Sequence, residues 1–248
     1  MNTKFKLSNH FKNFHDFVLN IQNYFDNSSE TIHKARNELK IINYNGIDTV
    51  VKAFKIPNFI NQIVYAYFRE SKAKKSYEYS LKIGEFTPKP IGYIEFYEMG
   101  LLKESYFISE KFSYDFTIRE PLLDKDFLDK ENILKSFAHF TYLLHENNIL
   151  HQDYSPGNIL VKKEIDNYIF KIVDINRMQF ISLDLKKRLK NFSKLWMSDA
   201  DLKIVATEYG KIINKNKEGC IKIALKFSHN HKNKINMKKR LKGIKVVD

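Results

Sequence analysis

The segment "ILHQDYSPGNILV", from Ile149 to Val161, constrains this chain more than any other stretch. It sets His151, Asp153 and Asn158 between two apolar ends, with a Pro-Gly pair in the middle. An apolar run that stops for a polar turn and then resumes describes an element end, a tight loop and a buried strand. A loop anchored at both ends holds its polar side chains in fixed directions. The His-x-Asp-x-x-x-x-Asn spacing would arise by chance in about 4% of chains of this composition, so on its own it decides little. The rest of the chain must supply partners for it.

Upstream, "ELKIINYNGIDTVVKAF" reads as a hairpin around Asn45-Gly46, a pair suited to a type I′ turn because both central residues need positive φ. "ETIHK" reads as a strand before it, with "ARN" as the connecting loop. After Pro57, Ile60, Ile63, Val64, Tyr67 and Phe68 recur at helical spacing. The helical signal resumes from Ser71 to Ile83, where Gly84 stops it. "PIGYIEFYE" and "ESYFISEKF" read as two more strands. Beyond residue 113 the chain turns helical: Asp129 is expected to cap a helix with Ile133, Phe137, Phe140 and Leu144 on one face, which delivers the chain into His151. "NILVKK" and "YIFKIVD" form a hairpin around Asp166-Asn167, and from Leu183 onward the sequence is helix-favouring and basic. There is no internal repeat and no Pro/Gly/Ser linker.

Composition narrows the class. At 248 residues, with 43% apolar and 29% charged side chains, the chain can bury a real core as one large domain or two lobes. A single Cys220 excludes an internal disulfide framework and fits a reducing, cytoplasmic compartment. The N-terminal residues form no signal peptide, and no run approaches the roughly 18 apolar residues of a membrane span. The net charge of +13 is concentrated: residues 181–248 hold 18 Lys/Arg against 6 Asp/Glu. That is either a solvated basic face or a surface for an anionic partner. No paired Cys/His or interleaved aromatics accompany the charge, so nucleic acid is not the expected partner. Between Lys222 and Lys245, nine Lys/Arg lie among Ile223, Leu225, Ile235, Met237, Leu241 and Ile244, as in an amphipathic helix lying on a membrane.

The loop and its neighbours fit phosphoryl transfer, which asks for a cation on the nucleotide phosphates, metal ligands, a base for the acceptor hydroxyl, and positioning. Lys52, on the strand after the Asn-Gly turn, is placed to reach the α and β phosphates of ATP. Glu78, on the following helix, is expected to pair with Lys52 in preference to Glu70, because Leu81 should turn that face onto the sheet. Asp153 takes the base role. Asn158 and Asp174, the latter at the end of the next strand, offer the hard oxygen donors that Mg2+ prefers. His151 is assigned to packing and backbone hydrogen bonding.

"HQDYSPGNILV" followed by "IVDINRM" resembles the Kdo/heptose lipopolysaccharide kinase family, small bacterial members of the protein-kinase-like superfamily. The Asp-x-x-Arg of Asp174 to Arg177 is that family's form of the D-F-G signature, and "VVKAFKIPNFINQ", "SKAKKSYEYSLKIG" and "SYFISEKFSYDFTIRE" resemble further segments of it. The likeness covers roughly residues 30–200. It implies an α+β, two-lobed protein-kinase-like fold, with a small β-rich N-lobe over 1–112 and a larger helical C-lobe over 113–248. It also implies ATP binding with Ser109, Glu110 and Phe112 in the hinge, and phosphorylation of a sugar hydroxyl of the lipopolysaccharide inner core. The phosphate-covering loop falls near "HKARNEL", which has no glycine, so Arg36 and Asn37 are expected to contribute side-chain donors in its place. No A-P-E segment follows, so a peptide-docking platform is not expected. An anionic acceptor needs a cation beside Asp153, and Arg177 is the candidate. The implied protein is cytoplasmic, in peripheral contact with the inner membrane and an anionic glycolipid. The alternatives are a kinase of protein or another small molecule, and a nucleotide-binding pseudokinase scaffold.

Overall fold

The computed structural model describes residues 2–34, 37–54 and 69–245. The chain divides into two compact units, residues 1–113 together with 174–176, and residues 114–173 together with 177–248.

The first unit is built on a six-stranded antiparallel sheet in the order β1-β5-β6-β4-β3-β2. Its strands are β1 (Asn2–Leu7), β2 (Thr31–Lys34), β3 (Glu38–Tyr44), β4 (Ile47–Ala53), β5 (Pro90–Glu98) and β6 (Leu101–Glu110). Asn45 and Gly46 both take positive φ, 50° and 78°, so the β3–β4 turn has the handedness its sequence demands. Because side chains alternate along a strand, β4 points Val51 to one face and Lys52 away from it. The Val51 face is covered by an N-terminal layer: a 3-10 segment (Asn9–Phe14), α1 (His15–Leu19) and α2 (Ile21–Asn27). Phe14, Phe17 and Ile21 are fully buried there against Val51, Ile94 and Ile108. The other face carries Phe54, Tyr93 and Phe107, which receive Ala73 and Tyr77 of α3 (Lys72–Ile83). Ser71 caps α3, its Oγ accepting from Lys74 N at 3.0 Å, and Gly84 is the C-cap. The helix expected over residues 60–68 lies outside the described residues.

In the second unit α4 (Arg119–Leu123) precedes α5 (Lys130–Glu146), whose buried stripe includes Ile133, Phe137 and Leu144. Around α5 stand a three-stranded sheet of β7 (Phe116–Thr117), β9 (Ile159–Lys163) and β10 (Tyr168–Ile172), and a two-stranded ladder of β8 (Ile149–His151) with β11 (Met178–Phe180). Helices α6 (Leu185–Asn191), α7 (Asp199–Ile212) and α8 (Lys217–Arg240) complete the unit, with α7 packed on both α5 and α8.

Two expectations are corrected here. Asp129 precedes α5 but does not cap it through its side chain. Its φ of 60° is left-handed, whereas a capping side chain needs an extended backbone to reach the first-turn amides. The carboxylate instead accepts from Asn132 Nδ2 at 2.6 Å and Tyr168 Oη at 2.7 Å. Secondly, α8 is not free along its length. Cys220, Ala224 and Ser228, four residues apart, bury one stripe of its first half. Met237, at 57% exposure, begins the unpacked part, and Leu241 (80%) and Ile244 (52%) follow past the helix end. Among the described residues, no helix is long and apolar enough to cross a membrane.

Candidate active site

In the first unit, Lys52 is held on β4 between Leu39 of β3 and Phe107 of β6. Its stem runs beside Phe54, with Nζ 5.4 Å from the ring centroid. The ammonium is largely buried and donates to Asp174 Oδ1 at 2.7 Å. Asn176 Nδ2 donates to the same oxygen at 2.6 Å. Asp174 has a φ of 56°, left-handed backbone that costs an ordinary residue about 1–2 kcal/mol and is tolerated best by Asn and Asp. The strain sits on the residue that the sequence marks as a metal ligand, where compensating contacts hold it in place.

In the second unit, the loop from His151 to Asn158 is fixed by its own polar groups. Asp153 N donates to His151 Nδ1 at 3.0 Å, so the ring's proton is on Nε2, which donates to Val173 O at 3.0 Å. His151 is buried and ties the loop to the end of β10, the backbone-bonding place assigned to it. Asn158 Nδ2 donates to Asp153 O at 2.9 Å, and Asn158 O accepts from Val173 N at 2.9 Å. Oδ1 of Asn158 has no partner among the described residues. The Asp153 carboxylate is about half exposed and has Arg177 Nη1 at 3.9 Å from Oδ2. Arg177 O accepts from Gln152 N, and the β8–β11 ladder begins one residue further along each strand.

Several candidates fall elsewhere. Lys52 meets Asp174, whereas Glu78 lies 3.7 Å from Lys74, which also pairs with Glu70 at 2.9 Å. The reason for favouring Glu78 fails: Leu81 is 49% exposed, because the large ring of Tyr77, buried against Tyr93, sets the phase of α3. Ser109 and Glu110 belong to β6 and not to a connecting segment. Ser109 is paired with both Val50 and Pro90, and Glu110 N is committed to Lys89 O. Phe112 lies past the strand end, and Asn37 directly precedes β3; Arg36 lies outside the described residues.

The structure adds residues that motif reading passed over. Tyr154, fully buried, stacks on Phe137 and shares a 2.8 Å hydrogen bond with Thr141, pinning the loop to α5. Burial drives its phenol far above the usual range. An aromatic directly after the loop Asp was the available signal. Asn176 steadies the Asp174 carboxylate, a local side-chain bond typical of Asn two residues from Asp.

Asn158, in the second unit, and Asp174, in the first, each carry an oxygen donor of the type Mg2+ takes.

Against known proteins, no family model matches the chain. A cell division control protein 2 homolog of Trypanosoma brucei brucei is 26% identical over 91 residues, 37% of this chain and only 29% of that protein. Among solved structures, WaaP in complex with acyl carrier protein superposes with a TM-score of 0.59 at 12% identity, covering 94% of this chain and 98% of that one. At that identity the likeness is one of fold, and it runs through nearly the whole chain. The strand-rich first unit and helix-rich second unit are therefore those of the two-lobed, kinase-like α+β fold that the chain shares with WaaP.

Proposed function

We propose that the chain is an ATP-dependent kinase that transfers the γ-phosphate to a hydroxyl of Kdo or heptose in the lipopolysaccharide inner core. The observation that carries this reading is the Lys52–Asp174 pair at 2.7 Å, which joins two residues 122 positions apart whose proposed roles, phosphate cation and metal ligand, belong to one nucleotide site. Lys52 would neutralise the α and β phosphates. Asn158 and Asp174 would hold Mg2+, which when bound shields the phosphate charge and aids departure of ADP. Asp153 takes the proton of the acceptor hydroxyl as its oxygen forms the bond to the γ-phosphorus and the bond to the leaving ADP oxygen breaks. Such a base is typically worth 10²–10⁴ in rate, order of magnitude. Arg177, close to that carboxylate, favours an acceptor that already carries negative charge.

The basic end of the second unit suits contact with an anionic membrane surface, where such an acceptor would be met from the cytoplasmic side. The acyl carrier protein bound to WaaP makes that class of protein a further partner to assay. The similarity to a cell division control protein favours a second reading, phosphorylation of a protein. Transfer of label from ATP separates the two. Kdo- or heptose-bearing lipid A precursors should be labelled faster than generic peptides, and the reverse order would overturn the sugar reading.

A further inference from the structure

Gly157, in the middle of the loop, is a glycine that its own backbone does not demand, since its φ lies outside the left-handed region. What stands in the way of a side chain is Arg119. A Cβ on Gly157 would lie 2.5 Å from Arg119 Nη2 and 3.1 Å from its Cζ. The guanidinium rests on the loop where any other residue would displace it.

Arg119 is itself well placed to stay there. It follows β7 directly, Ile118 N donates to Ile159 O at 3.0 Å, and Arg119 N donates to Thr117 Oγ1. The carboxylates near it in sequence are turned to other donors: Glu120 accepts from Thr117 N and Oγ1, and Asp115 from Lys163 N. Arg119 is exposed and has no ion-pair partner among the described residues. A guanidinium presents a planar fork of donors that matches a carboxylate or a phosphate. One such fork, Arg177, stands at Asp153, and a second, Arg119, lies on Gly157 four residues along. Even a fully extended chain would keep those two loop positions within about 14 Å, the span of one substituted sugar. Lys52, the proposed phosphate cation, belongs to the first unit, whereas both arginines belong to the unit that carries Asp153.

We propose that Arg119 is a specificity-determining residue that binds a carboxylate or phosphate on the acceptor, with Gly157 kept bare to admit it. The inference rests on the reading of Asp153 as the base for an acceptor hydroxyl. It is tested by calorimetric titration of free Kdo, Kdo methyl ester, heptose, a heptose phosphate and Mg-ATP into wild type, Arg119→Gln, Arg119→Lys and Gly157→Ala. Arg119→Gln should weaken the better-bound anionic sugar at least tenfold and Mg-ATP less than twofold. Arg119→Lys should restore part of that loss. Gly157→Ala, which moves the charge without removing it, should weaken the sugar about threefold or more. Unchanged sugar binding in Arg119→Gln overturns the assignment, as does an equal loss for Mg-ATP, which would make Arg119 a nucleotide residue. On the wild type alone, a Kdo ester bound as tightly as the acid overturns a carboxylate site, and a heptose phosphate bound no better than heptose overturns a phosphate site. Wild type that binds neither anionic sugar brings down the acceptor reading and this inference together. Wild type that binds and phosphorylates one, with Arg119→Gln unaffected, brings down only the inference.

Discussion

Asp153 and Asp174 each stand two residues past the end of a strand, yet their surroundings differ. Asp174 shares one oxygen between Lys52 and Asn176 on a left-handed backbone. Asp153 is half exposed, is fixed through its backbone, and has a single guanidinium 3.9 Å away. The two variants should therefore fail differently. Asp153→Asn is expected to lower turnover about 10²–10⁴-fold while Mg-ATP affinity stays within about twofold. Asp174→Asn should weaken Mg-ATP binding itself, since it removes both the charge of the proposed metal ligand and the ionic partner of Lys52. Calorimetry and turnover measured on both proteins check this. An Asp153→Asn enzyme that keeps more than about a tenth of wild-type turnover would remove Asp153 from the base role.

Among the elements, the N-terminal layer is one that sequence reading left unassigned, although its signal was present. Phe11, Phe14, Val18, Ile21 and Phe25 recur at three- and four-residue spacing, the stripe of a helix that buries one face. A 3-10 segment and two short helices share that stripe, so no single long helix announces it. The layer closes one face of the sheet, and Phe17 stacks on Tyr44 with ring centroids 4.7 Å apart. Phe17 has no exposed surface, so Phe17→Ala should cost about 3–5 kcal/mol of stability, from lost transfer energy and the cavity left behind. The midpoint and slope of a urea unfolding curve measure it. A loss below about 1 kcal/mol would mean that the layer is loosely attached.

On the scale of the whole molecule, charge is the organising quantity. Within the second unit it gathers at the unpacked end of α8, where Lys238, Lys239 and Arg240 stand beside exposed Met237 and Leu241. Trp196 joins this surface, 41% exposed, with Lys239 Nζ 5.7 Å from its ring. An aromatic with one wet edge among lysines suits the headgroup level of a bilayer, and each basic residue near an anionic surface adds about 1 kcal/mol. Cosedimentation with vesicles containing anionic lipid should be strong at low salt and fall steeply as salt screens it. Replacing Lys238, Lys239 and Arg240 with Gln should reduce binding far more than replacing Lys222 and Lys226, which lie on the packed half of the helix. Binding that ignores lipid charge, or that responds equally to both sets, would rule out this surface.

The sequence by itself determined what depends on a few neighbouring residues. Asn45-Gly46 fixed a turn through backbone dihedrals, Ser71 and Gly84 bounded α3 through capping, and His151 to Asn158 closed a loop on its own hydrogen bonds. Only the tertiary structure decided which distant groups meet. Lys52 found Asp174 and not Glu78, because the buried ring of Tyr77 rotates α3 and turns its charged residues toward one another. Asp129 lost its capping role to a left-handed backbone and a bond from Tyr168, a residue 39 positions along the chain. The contact of Arg119 with Gly157 likewise exists only once β7 lies beside β9. Dihedral preference and capping act over three or four residues and can be read in place. The pairing of charges depends on packing that brings together residues a hundred positions apart, and no local pattern encodes that distance.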